Sequence, residues 1–183
     1  FDAWEGGHRV PFIARWPGKI TPGSVSDQLI CHVDLPATLA VLTGAELRED
    51  DALDSFDIMP ALAGTAVNAV RDHLVLDPKD PDNIALRKGR WVYIPFRGGG
   101  GFDGSSGRKI GGPAALEFAG QKNSDIENGA FRPDAPHEQL YDLESDPNQS
   151  VNVVRRYPEV AKRLATELAE LMNKPRTAPH QST

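Results

Sequence analysis

The spacing of apolar positions along this 183-residue chain changes several times, and each change marks an element. Near the C-terminus Val160, Leu164, Leu168, Leu171 and Met172 recur at helical spacing, with Ala161 and Ala165 beside them. Glu159, Lys162, Arg163, Glu167 and Glu170 take the other face, and Pro158 stands where a first-turn proline costs nothing. A long helix is therefore predicted from Pro158, and burying its larger side chains contributes on the order of 1.5–3 kcal/mol each as an upper range. Short apolar runs at His73–Asp77, Asn83–Arg87 and Trp91–Phe96 read as strands, and a fourth follows at Gln139–Leu143. Lys88-Gly89-Arg90 joins the second run to the third as a hairpin loop. The pattern is that of a small antiparallel sheet covered by one helix.

The first third of the chain is patterned differently. Val10–Arg15 is a short apolar run interrupted by Pro11 and closed by Trp16-Pro17-Gly18, which suits an edge strand extending a sheet outside this sequence. A helix is predicted over Asp34–Thr43, with Asp34 as its cap, Pro36 in its first turn, Gly44 at its end and Leu35, Leu39 and Leu42 on one face. Glu46–Ser55 reads as an acidic surface link, Ile58–Leu62 as one helical turn, and the residues after Lys174-Pro175 as a polar, disordered tail. Between Arg97 and Pro136 a Gly-rich stretch breaks strand and helix grammar. It reads as a surface insertion, with a loop at the mouth of a binding site as the functional alternative.

Composition narrows the function classes. With 39% hydrophobic and 25% charged residues the chain is globular, and 17 Gly and 15 Pro make it rich in loops. Its net charge of −6, without a clustered basic stripe, argues against nucleic acid as a partner. No run of apolar residues is long enough to span a membrane. The one cysteine, Cys31, allows no internal disulfide, and Cys31-His32 without a second ligand cluster is not a zinc site. The glycines lack the Gly-x-x-x-x-Gly-Lys-Ser/Thr spacing of a phosphate loop. Asn148-Gln149-Ser150 fits a glycosylation triplet, a common chance occurrence.

Five segments, in order, carry a family resemblance. They are Trp4-Glu5-Gly6-Gly7-His8-Arg9-Val10-Pro11 running to Trp16-Pro17-Gly18-Lys19, Ser26-Asp27-Gln28 leading into Val33–Gly44, and Phe56–Gly64; then Leu86-Arg87-Lys88-Gly89-Arg90-Trp91, and Gln139-Leu140-Tyr141-Asp142-Leu143 with Asp146-Pro147. Together they resemble the sulfatase (arylsulfatase-like) family of the alkaline-phosphatase superfamily, in its C-terminal portion. The fold this implies is α/β: the C-terminal part of an alkaline-phosphatase-like fold, ending in a small antiparallel sheet packed by one long C-terminal helix. By the same reading, residues 1–64 close the main domain, and 65–174 form the sheet-and-helix subdomain with its insertion at 97–136. Residues 175–183 form a tail.

The resemblance implies a hydrolase of aryl or carbohydrate sulfate esters that uses formylglycine and calcium. A sulfate ester is a poor electrophile, so such chemistry needs an activated nucleophile, a hard cation and groups that neutralise developing charge. The family's Cys/Ser-x-Pro-Ser-Arg source of formylglycine is absent, and Cys31 is followed by His32-Val33-Asp34. No catalytic residue and no metal ligand is therefore assigned to this chain, which is expected to be inactive alone. The candidates for substrate binding are His8, which follows closely on the position of the family's last catalytic lysine, and Arg97 and Arg108 of the Gly-rich stretch. Arg9 reads as structural, paired with a carboxylate of a missing N-terminal half. The implied partners are a sulfated small molecule or glycan and that N-terminal half, and the implied location is periplasmic or secreted. The alternatives are a non-catalytic glycan- or partner-binding module, or part of a related phosphodiester or phosphonate hydrolase.

Overall fold

The computed structural model describes residues 2–78, 83–101 and 112–179. In chain order the elements are α1 (Glu5–His8), a 3-10 turn at His32–Asp34, α2 (Leu35–Thr43), α3 (Met59–Ala63), β1 (His73–Leu76), β2 (Ala85–Lys88) and β3 (Trp91–Ile94), then α4 (Gly112–Phe118), β4 (Ile126–Glu127), β5 (Ala130–Phe131), β6 (Gln139–Asp142) and α5 (Pro158–Met172). The chain divides into two compact units: a sheet unit of Phe1–Val10 with Val75–Ala169, and a helical unit of Pro11–Leu74 with Glu170–Thr183.

The sheet runs β1-β2-β3-β6. β2 and β3 pair antiparallel with Leu86 opposite Tyr93 and Lys88 opposite Trp91, leaving Gly89-Arg90 as a two-residue turn. Gly89 sits at φ +54°, where a side chain would be strained. β6 pairs with the other side of β3, Trp91 opposite Asp142 and Ile94 opposite Gln139. Ala85, Leu86, Val92, Ile94, Leu140 and Tyr141 have no exposed surface. α5 starts at Pro158 as the pattern predicts; Ala161, Leu164 and Leu168 are buried on its stripe, while Met172 lies 55% exposed. Lys88 forms an ion pair with Glu167, and the Trp91 ring meets Tyr157 edge-on at 5.4 Å, which fastens α5 to β2 and β3. Within the Gly-rich insertion the residues from Gly112 onward form α4 and a β4–β5 hairpin over Asn128-Gly129. Two-residue strands are too short to leave a periodicity in sequence.

The helical unit departs further from its sequence pattern. Val10–Arg15 forms no ladder with any described residue; Phe12 meets the His32 ring at 6.4 Å, and Ile13 is 92% exposed. A strand is a ladder, and Pro11 and Pro17 remove donors that one would use. α2 ends at Gly44 as expected, but Leu39 and Leu42 stay exposed; the buried residues are Ala37, Thr38 and Ala40. The helix is held by polar groups. Thr38 Oγ1 donates to the Asp34 carbonyl at 2.7 Å and accepts the Ile58 N–H at 3.0 Å, while Ser55 Oγ accepts the Ala37 N–H at 2.9 Å. Asp34 does not cap α2 with its side chain. Its fully buried carboxylate accepts the N–H groups of Cys31 at 2.7 Å and Phe56 at 3.0 Å and lies 3.3 Å from the buried Arg71 guanidinium. Arg71 stacks over Phe56 at 4.7 Å and donates to the Asp54 carbonyl. The described part of the tail is held in place: Ala178 is buried and donates to the Leu53 carbonyl, and Thr177 bonds the Asp54 carboxylate. Its small residues reach partners on the 49–54 segment that polarity alone does not announce.

The Asp34–Arg71 pair leads to the first prediction. Removing one partner leaves the other charge buried and unpaired, so Asp34→Ala and Arg71→Ala should each destabilise the helical unit by about 3–5 kcal/mol in chemical denaturation. A loss below about 1 kcal/mol would show that the pair is solvated in solution.

Candidate functional site

The segment Asp2–Arg9 packs within the sheet unit, and its most buried charged group is Glu5, 5% exposed. Gly6-Gly7 lets α1 close as a single turn, which brings Glu5, His8 and Arg9 to one side. The Glu5 backbone N–H donates to Gln149 Oε1 at 2.6 Å. Its carboxylate gathers three basic side chains: Arg87 from β2 at 3.3 Å, Arg9 at 3.5 Å and His8 Nε2 at 3.5 Å. Burial pushes the Glu5 carboxyl up, but the basic side chains of His8, Arg87 and Arg9 around it outweigh that and hold the group below its ordinary 4.5.

Asp2 locks the entrance to this turn. One of its carboxylate oxygens accepts the Trp4 N–H at 3.1 Å, and its carbonyl faces His8 Nδ1 at 3.3 Å. Burial pushes the Asp2 carboxyl above its ordinary 3.8, against the Trp4 hydrogen bond. The Ala3 N–H donates to the Gly99 carbonyl at 2.7 Å, and a Cβ at Gly99 would stand 1.5 Å from Asp2 Oδ1. Glycine at 99 is thus required by close approach: the Gly98–Gly101 strip leaves the sheet flush against the segment that carries Glu5 and His8.

The amide of Gln139 holds these pieces together. Its Oε1 accepts from the Trp4 indole at 3.1 Å and the Tyr141 hydroxyl at 2.7 Å, while Nε2 donates to the carbonyls of Phe96 at 2.7 Å and Gly98 at 2.8 Å. Asn123 donates to Tyr141 Oη at 2.8 Å and the Gln149 backbone carbonyl at 2.9 Å, extending the network to the residue whose side chain anchors Glu5.

Of the predicted site residues, His8 is placed between the Asp2 carbonyl and the Glu5 carboxylate, with its side chain 23% exposed. Arg97 is exposed at the end of the sheet and donates to the carbonyls of Ala135 at 2.5 Å and Pro136 at 3.5 Å, over the Phe131 ring at 5.7 Å. Arg108 lies outside the described residues. Arg9 pairs with Glu5 of its own turn and is 66% exposed, so the carboxylate expected from elsewhere is supplied locally, four residues back. Glu5, Arg87, Gln139 and Gln149 are the residues that sequence reasoning passed over. The (i, i+4) spacing of Glu5 and Arg9 was a usable signal; the 82-residue separation of Glu5 from Arg87 left none. For calcium the described residues offer no group of three or more His, Cys, Asp or Glu side chains, and Glu5, Asp34 and Asp142 are each committed to an arginine. These described carboxylates therefore do not fit a metal.

Two predictions rest on this geometry. Gly99→Ala should destabilise the sheet unit by about 1–3 kcal/mol, and Asp2→Ala should recover most of that loss in a double-mutant cycle; additive losses would separate the two positions. The second concerns pH. The unfolded chain protonates Glu5 near 4.5 and the folded chain only at lower pH, so the stability Glu5 contributes is complete above about pH 4.5 and is lost as pH falls through the lower folded value. Asp142, held below 3.8 by Arg90, acts in the same direction at lower pH, and Asp2 opposes both. Thermal melts from pH 6 to 3 should show the melting temperature falling below pH 4.5, with a shallower fall in Glu5→Gln; identical slopes would exclude Glu5.

Comparison with known proteins gives this arrangement a context. The profile of the family described as Sulfatase matches residues 1–45. An N-acetylgalactosamine-6-O-sulfatase of Bacteroides thetaiotaomicron is 32% identical over 97% of this chain and 29% of its own length. Human arylsulfatase A is 34% identical over 82% of the chain and 27% of its own length. An ulvan-active sulfatase of Formosa agariphila is 30% identical over 94% of the chain and 34% of its own length. A solved structure from work on glycosaminoglycan metabolism by Bacteroides thetaiotaomicron, labelled 6S-sulf, superposes with a TM-score of 0.66 at 29% identity, over 94% of this chain and 31% of that one. The chain spans about a third of the length of these relatives. With an α/β fold that ends in a small antiparallel sheet and a long packed helix, matched to sulfatases nearly end to end, this chain belongs to the sulfatase family and corresponds to its C-terminal portion.

Proposed function

We propose that this chain is the C-terminal part of an enzyme that hydrolyses sulfate esters, with carbohydrate sulfates as the substrate class. The similarity to sulfatases over nearly the whole chain carries this reading, because it includes both the Glu-Gly-Gly turn and the sheet that Arg87 ties to it. In it, nucleophile and cation come from polypeptide outside residues 1–183, and this part supplies shape: the anchored Glu5 turn and the Gly98–Gly101 strip beside it form one wall of a cleft. Formylglycine and calcium belong to that other polypeptide, and residues 1–183 alone do not turn over.

The same reading gives the exposed apolar surface of the helical unit an owner. Phe12, Ile13, Trp16, Val33, Leu39 and Val41 are each at least 40% exposed, an arrangement that calls for a covering partner. We assign that role to the remaining sulfatase polypeptide, with Val10–Arg15 adding to its sheet. The domain reading follows: 1–64 completes the main domain and 65–174 forms the subdomain. No described helix is long and apolar enough to cross a membrane, and a periplasmic or secreted location follows from the family assignment. Arg97 faces substrate in this reading, and His8 supports the turn from beneath.

The test is sulfate release from 4-nitrophenyl sulfate and from N-acetylgalactosamine 6-sulfate by the complete polypeptide and by residues 1–183. Release by the complete polypeptide alone is expected. Turnover only of a phosphonate or phosphodiester would replace the reading with the related hydrolase, and inertness toward all of them would leave a binding module. In an active enzyme His8→Ala should lower kcat/KM by about tenfold; an unchanged value would remove His8 from the site.

A further inference from the structure

Outside the Glu5 cluster, one loop of the sheet unit gathers more positive charge than it neutralises. Residues 132–137, Arg-Pro-Asp-Ala-Pro-His, lead from β5 into β6, and Ala135 is buried as their pivot. Three arginines from separate parts of the unit meet this loop. Arg97 Nη2 donates to the Ala135 carbonyl at 2.5 Å, and Arg155 Nη2 donates to the Asp134 carbonyl at 2.5 Å. Arg132 Nε reaches the Asp134 carboxylate at 3.3 Å. Asp134 is paired with Arg132, whose hydrogen bond holds it below its ordinary 3.8, with the Arg155 charge contributing. The neighbouring Glu138 accepts from the Tyr93 hydroxyl at 2.6 Å and keeps its charge, so three arginines face two carboxylates. Among the described residues neither Arg97 nor Arg155 forms an ion pair, and both are exposed, as is His137.

The chemistry of such a patch is specific. Arg155, anchored through Nη2, and Arg97, anchored through Nη2 and Nε, are held by backbone carbonyls with their Nη1 donors in a fixed plane, and neither charge is paired among the described residues. That is the arrangement that receives a planar or tetrahedral oxyanion bidentately with little loss of side-chain entropy. The Phe131 ring beneath Arg97 adds to the fixing. In a chain of net charge −6, an exposed concentration of positive charge on one loop marks a place for an anionic partner.

We propose that Arg97, Arg132 and Arg155 form a binding site for the anionic groups of a sulfated glycan, on the loop between β5 and β6. The ligand class rests on the sulfate-ester reading above; the site itself rests on the geometry of the arginines. It holds a sulfate of the polymer without reacting with it, as a contact remote from the sulfate that is hydrolysed.

Residues 1–183 suffice for the test, because binding needs no turnover. Calorimetric titration with size-defined chondroitin 6-sulfate and unsulfated chondroitin hexasaccharides should show tighter binding of the sulfated one, weakening as salt is raised. Arg97→Ala and Arg155→Ala should each weaken it by about tenfold, with Arg→Lys at either position intermediate because the charge stays and the fork is lost. Asp134→Asn should tighten binding, an outcome a purely structural loop would not produce. Arg15→Ala, which removes the same charge from the helical unit, should leave binding unchanged. Equal affinity for the two hexasaccharides, wild-type affinity in both alanine variants, or equally tight binding of a short DNA duplex would each overturn the assignment. A complete polypeptide that releases sulfate while this chain fails to bind would sink this inference alone, and the converse would sink the hydrolase reading alone.

Discussion

The buried amide of Gln139 is the constraint on which the sheet unit depends. All of its hydrogen-bonding capacity is used: two acceptor positions by Trp4 and Tyr141, two donors by the carbonyls of Phe96 and Gly98. Phe96 and Gly98 lie where the chain leaves β3, so their carbonyls would otherwise be buried without partners, which is costly. One side chain of β6 therefore satisfies the exit of β3 and locates the N-terminal segment together. The Glu5 turn, the Gly98–Gly101 strip and their approach at Asp2 and Gly99 follow from that placement.

Charge is used in two ways in this chain. Asp34 and Arg71 are fully desolvated, and the N–H groups of Cys31 and Phe56 complete the carboxylate's shell, so this pair organises loops that have few large apolar side chains to bury. Glu5 is also buried, but its basic partners grade outward from Arg87 to the exposed Arg9 at contact distances of 3.3–3.5 Å. An arrangement with several cations around one carboxylate keeps the turn in place while leaving basic groups near the surface. At the loop 132–137 the charges are used differently again: Arg132 pairs with Asp134, while Arg97 and Arg155 are oriented by backbone carbonyls.

These features suit a part that shapes a site more than it reacts. The described residues hold no group of three or more His, Cys, Asp or Glu side chains; they supply anchored turns, glycines at close approaches and oriented arginines. Under the proposed sulfate-ester reading, rigid support of this kind fixes where a substrate rests.

Sequence alone determined the sheet strands, the Gly89-Arg90 turn and α5 from Pro158, because each has a local period or a local breaker that acts within a few residues. It also determined the family, because the ordered motifs survive as linear text. Tertiary structure decided what depends on distant partners. Val10–Arg15 has the composition of a strand but no neighbour to complete a ladder, and α2 is held through Thr38 and Ala37 with its leucines outward. The tail to Ala178 is ordered by carbonyls and carboxylates of the 49–54 segment. Arg87 for Glu5, Arg71 for Asp34 and Gln139 for Trp4 are pairings across 82, 37 and 135 positions of chain, chosen by where the backbone brings a donor to a buried acceptor. Periodicity carries no record of such encounters, since hydrogen bonds and ion pairs are selected by geometry in space and not by spacing along the chain.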